Sequence, residues 1–133
     1  MCLDLLLERQ PYALEAAKVF AHFSRSGAKA FVSAPTFLNL HYFLRKQYGE
    51  KPARSALDRF RAEVEILAVN EKMIQKALAS KFSDLEDAVQ HQCALMNKMT
   101  MIVTRNSADF SESDLPVLSP KKFLVALKPP FST

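Results

Sequence analysis

Three carboxylates crowd into Ser83-Asp84-Leu85-Glu86-Asp87-Ala88, at the head of an amphipathic helical pattern. A fourth, Asp109, ends the polar stretch Thr104-Arg105-Asn106-Ser107-Ala108-Asp109, which follows the apolar run Met99–Val103. That run reads as a buried strand. Carboxylates gathered at the C-terminal edge of a sheet repel one another unless a cation lies between them, so the pattern points to a divalent-ion site. Asp84 and Asp87 share a helix face, with His91 one turn further on. The same acids have a plainer use. Acids in a first helical turn complement the dipole, and Ser83 with Glu86 reads as a capping box. Asp109 suits a turn or a cap. His91 lacks the second histidine of a helical zinc motif and reads as a surface residue. Asn39 sits amid Leu38, Leu40 and Tyr42 and reads as a buried amide, either a core hydrogen-bonder or a support for the site. Thr104 and Asn106 are open to the same two readings, serving the loop backbone or the site.

The elements that must position these residues follow from periodicity and punctuation. Pro11 suits the first turn of a helix carrying Leu14, Ala17, Val19, Phe20 and Phe23, which Gly27 stops. Ala30–Ser33 reads as a strand. Pro35 opens a helix with Phe37, Leu38, Leu40, Tyr42, Phe43 and Leu44, ending at Gly49, and Pro52 starts another through Val64. Ile66–Val69 reads as a second strand, and Asn70 as the N-cap of a helix through Ala79. The acidic helix has the stripe Leu85, Ala88, Val89, Cys93 and Met96, followed by strand Met99–Thr104. Val117-Leu118 reads as a last strand before a terminal helix capped by Ser119-Pro120. Strands alternating with helices imply an α/β fold in three layers, a short parallel sheet with helices on both faces. Ligands in such sheets collect at the strands' carboxyl ends, near Ser33, Asn70 and Asn106. One domain over residues 1–127 is expected, with 128–133 as a frayed tail.

The chain has 133 residues, 49% of them hydrophobic and 24% charged, a balance that suits one domain with a single core. No run approaches the roughly 18 apolar residues that span a membrane, and Met1–Leu7 is too short for a signal peptide, so a cytoplasmic protein is expected. Cys2 and Cys93 form no CxxC pair, and Cys93 falls on an apolar stripe as a small core residue. The net charge of +4 favours approach to phosphate backbones. Arg45, Lys46, Lys51, Arg54, Arg59 and Arg61 carry much of it, either as a solvated helical surface or as an RNA-facing patch. A Gly-rich phosphate loop, a Gly-x-Ser-x-Gly elbow and a metal-spaced Cys/His cluster are all missing from the sequence, so P-loop hydrolysis and serine catalysis have no support.

Several segments resemble the PIN-domain ribonucleases, in particular the VapC-like branch: Leu6-Leu7-Glu8-Arg9-Gln10-Pro11-Tyr12, Val32–Thr36, Asp84–Ala88 and Val103–Phe110. Asp114–Leu124 extends the likeness nearly to the tail. The resemblance implies a metal-dependent endoribonuclease in which a few acids surround Mg²⁺ or Mn²⁺. Asp87 matches the acid of the acidic helix, with Asp84 as a supplement. Asp109 or Asn106 takes the last acidic position, Thr104 the supporting polar one, and Asn39 stands where many members have Glu. The resemblance further implies the toxin of a toxin–antitoxin pair, an antitoxin protein as partner and a homodimer.

Family members begin with a strand ending in Asp-x-Asn, just ahead of the segment that Met1–Leu7 matches. The expectation is therefore an N-terminally truncated chain without the first strand and first catalytic Asp, and a weak or inactive nuclease. Either the start has been set too late, or a short form is genuine and is an inactive relative or is completed by a partner. Two rivals remain: a non-catalytic RNA- or protein-binding module on the same scaffold, and another α/β metal-dependent hydrolase, which needs a further acid near Asp87.

Overall fold

Gly27 and Gly49 stop two of the helices, and side-chain caps from Ser33, Asn70, Asp84 and Ser119 start four. The computed structural model describes residues 1–127; the tail expected at 128–133 lies outside the described residues. The chain divides into two units, Met1–Val69 and Asn70 onward.

The first unit runs α1 (Cys2–Leu6), α2 (Tyr12–Ser26), β1 (Ala30–Ser33), α3 (Ala34–Tyr48), α4 (Glu50–Arg61) and β2 (Val64–Leu67). Gly27 ends α2 in the left-handed conformation, with φ at 75°, as its position after the apolar stripe implies. Ser33 caps α3 by accepting the Thr36 N–H, and Pro35 occupies the first turn, where its missing N–H costs nothing. The core joins Phe20, Leu40, Leu44, Ala53, Leu57 and Phe60, with the Phe20 and Phe60 rings edge to face at 5.5 Å. Strands β1 and β2 pair in parallel from Ala30↔Val64 to Ser33↔Leu67.

The second unit runs α5 (Glu71–Leu78), α6 (Leu85–Met96), β3 (Ile102–Val103), a 3₁₀ turn (Ser107–Phe110), β4 (Val117–Leu118) and α7 (Pro120–Ala126). Asn70 caps α5 through its Oδ1 to the Met73 N–H at 3.0 Å, and Ser119 caps α7 through its Oγ to the Lys122 N–H at 3.1 Å. Strands β3 and β4 pair in parallel, Ile102 with Val117 and Val103 with Leu118.

The α/β class with short parallel strands is therefore as the alternating pattern implies. The strands are distributed as two pairs, one in each unit. Several local expectations shift. The second strand is Val64–Leu67, two residues earlier than the apolar run suggests, and α4 begins at Glu50, before Pro52. Only Ile102–Val103 of the expected strand Met99–Thr104 has strand pairing. In α2 the buried face is Ala13, Ala16, Val19 and Phe20, while Leu14 is 58% exposed. Leu14 and Ala17 each lie one residue past a buried alanine, and the helical period turns both out of the buried stripe. No helix among the described residues is long and apolar enough to cross a membrane.

Candidate functional site

The acidic helix α6 starts one residue later than a Ser83 cap would have it. Asp84 is the N-cap, in extended conformation, and its Oδ1 accepts the Asp87 N–H at 2.9 Å. A carboxylate in this position satisfies an orphan donor and meets the positive end of the dipole at once, which replaces the Ser83–Glu86 capping box. Asp84 thus has one oxygen committed to the backbone.

Asp87 lies at the third helical position and is half-buried. Its carboxyl is pushed up to about 6, first by burial, then by the charges of Asp84, Asp109 and Glu86. Asp109, contributed by the 3₁₀ turn, is therefore within electrostatic reach of Asp87, as expected from the sequence. The turn is built by the polar loop itself. The Asp109 N–H donates to the Asn106 carbonyl at 3.0 Å, and the Asn106 N–H donates to Thr104 Oγ1 at 3.2 Å. Thr104 and Asn106 thus shape the segment that presents Asp109. Asn39 differs from its reading as a buried amide: it is exposed on α3, in the first unit. It lies one residue before buried Leu40, on the solvent side of the helix.

His91, like Asn39, lies elsewhere than its reading from the sequence implies. It is 2% exposed, not a surface residue. Its Nε2 accepts the Asp114 N–H at 3.0 Å, and its ring lies 4.9 Å from that of Phe82. Burial pushes its imidazolium below the ordinary range, with the Asp114 carboxylate at 3.9 Å acting the other way. The signal was available, since His91 falls three residues after Ala88 on the buried face of α6, but a polar residue was read as facing water. Leu85, by contrast, stands 50% exposed.

The donors here are hard oxygens, the type that Mg²⁺ and Mn²⁺ take. The raised carboxyl of Asp87 is what a cation would relieve. In type and charge the acids fit a divalent ion. Among the described residues no group of three or more His, Cys, Asp or Glu side chains is already spaced as ligands of one ion. The acids are brought near one another by the start of α6 and the 3₁₀ turn against their mutual repulsion, and they form no cage.

The PIN domain family matches residues 1–108, most of the chain, and the chain belongs to that family. Membership ties it to the nuclease superfamily. No curated protein matches the chain.

Proposed function

We propose that this chain is a PIN-type, metal-dependent endoribonuclease of weak activity, with Asp87 at the centre of its site. The observation that carries this reading is the PIN domain match over residues 1–108, which takes in the acidic helix where Asp87 lies half-buried near the charges of Asp84, Asp109 and Glu86. Such an arrangement disfavours the metal-free ionised state and favours a bound cation. Asp87, Asp109 and the free oxygen of Asp84 would hold Mg²⁺ or Mn²⁺. That ion, when bound, activates water and offsets charge at the scissile phosphate. Asp87 must be ionised to serve, so binding strengthens as pH rises through about 6. Asp84 keeps the helix start in place while it faces the site, and the Thr104–Asn106 turn presents Asp109.

The proposed partners are RNA, an antitoxin protein and a second copy of the chain, as in a toxin–antitoxin pair. Exposed Arg45, Lys46, Lys51 and Arg59 supply positive charge for RNA. Leu38 and Tyr42, 70% and 50% exposed and one turn apart on α3, supply apolar surface for a protein partner.

The test pairs Mn²⁺ titration by calorimetry with cleavage of a mixed RNA pool, on wild type and Asp87→Asn. The variant removes charge with little change of shape, so loss of Mn²⁺ binding with retained folding is expected. Equal Mn²⁺ affinity in the two proteins would refute the assignment. The second reading, a non-catalytic RNA-binding module, draws on the same exposed basic residues. It predicts salt-dependent RNA binding that Mn²⁺ and Asp87→Asn leave unchanged.

A further inference from the structure

We propose that His91 is a positioning residue for the acidic site, fastening the segment that carries Asp109 to the helix that carries Asp87. This inference rests on the reading of Asp87 and Asp109 as one site. His91 is one turn beyond Asp87 on α6. Because the Asp114 N–H donates to Nε2 at 3.0 Å, that nitrogen carries no proton and the ring hydrogen is on Nδ1. Nδ1 is buried with no hydrogen-bond partner among the described residues. An imidazole held this way sacrifices one hydrogen bond to make the other, which suggests a placement selected for its reach to Asp114.

A second set of contacts runs alongside. The His91 ring lies against Phe82, and Phe82 meets Phe110 edge to face at 5.8 Å. Phe110 is 4% exposed and directly follows Asp109. Between Phe110 and Asp114 the chain is tied to itself. The Ser113 N–H donates to the Phe110 carbonyl at 2.9 Å, and Ser113 Oγ both donates to the Leu115 carbonyl and accepts the Leu115 N–H at 2.9 Å. The 107–115 segment is thus stiff within itself. Its hydrogen bond to His91 anchors that stiff piece on α6, and Asp109 travels with it.

The test is amide hydrogen exchange on metal-free wild type, His91→Leu and His91→Gln. Leucine keeps bulk and removes the acceptor; the Gln Oε1 can stand close to where Nε2 was. His91→Leu is expected to speed exchange at Asp109 and Asp114 about tenfold, the loss of one buried hydrogen bond, with Ala88 in α6 unchanged. His91→Gln restores most of the protection. Equal behaviour of the two variants, unmoved exchange at Asp109, or equal acceleration at Ala88 would each overturn the proposal in favour of simple packing. If His91→Leu fails to fold, Asp114→Pro removes the donor from the exposed side of the same bond and must release Asp109 alike. Mn²⁺ affinity is then measured on the same proteins, with about a fivefold loss expected in His91→Leu and recovery in His91→Gln. A wild type that takes no Mn²⁺ would refute the metal reading, while the exchange result still decides the role of His91.

Discussion

At the residue scale, Asp87 concentrates the charge conflict of the site and gives it a pH signature. Its ordinary value is 3.8 and its folded value about 6, so between them the folded state holds a proton that the unfolded chain has lost. Linkage then makes the metal-free protein less stable as pH rises through this window. Urea denaturation across that range should show this slope in wild type and a flatter one in Asp87→Asn. His91 contributes with the opposite sign. Its folded value lies below 6.5, so its share of stability is present above that pH and declines as acid protonates the ring. The difference between wild type and Asp87→Asn cancels the histidine and isolates the carboxyl. Mn²⁺ should raise the melting temperature of wild type and leave Asp87→Asn unmoved, since only a ligand that binds the folded state stabilises it. Asp84 and Asp87 stand out in the sequence because carboxylates at a helix start advertise themselves. For His91 the spacing from Ala88 marks the buried face, but its role was not legible, because its partner is 23 residues away and no local pattern names it.

At the element scale, the helix start at Asp84 joins stability to site chemistry. Asp84→Ala should cost about 1 kcal/mol in urea denaturation through loss of the cap. Asp84→Asn should cost far less, because the amide oxygen still accepts the Asp87 N–H. Both remove a charge beside Asp87 and should lower its titration midpoint, read by carboxyl NMR. Stability that separates the two variants while the midpoint moves in both would show that capping and charge are distinct roles of one side chain. Caps were readable in part: Asn70 and Ser119 each accept an N–H three residues on, a local pattern fixed by short-range geometry, whereas the Ser83 box gives way to Asp84 one residue later. Strand limits were less readable. Val64 lies where the helical stripe of α4 runs straight into β2, and an apolar residue serves either period. The pairing of β3 and β4, two residues each, depends on partners remote in sequence, so its extent could not be judged from Met99–Thr104 alone.

At the scale of the whole molecule, the first unit rests on one aliphatic and aromatic cluster. Leu44 is fully buried within it, and Leu44→Ala should cost about 2–5 kcal/mol in urea denaturation, enough to consume much of a small domain's net stability. The net charge of +4 sets a second expectation. RNA binding measured by fluorescence anisotropy should weaken steeply with salt, and Lys46→Gln with Lys51→Gln should flatten that slope. An affinity indifferent to salt would exclude phosphate contact by the basic residues. The buried thiol of Cys93 carries one more consequence. It is 1% exposed, burial pushes its pKa up, and the Asn97 amide stands 3.8 Å from its sulfur. A thiol in this state is shielded from alkylating reagents for as long as α6 stays closed around it. Its labelling rate under native conditions is a built-in clock for the opening of that helix. Because Asp87 rides on the same helix, the clock times how long the acidic site persists between openings, and a cation that binds there should slow it.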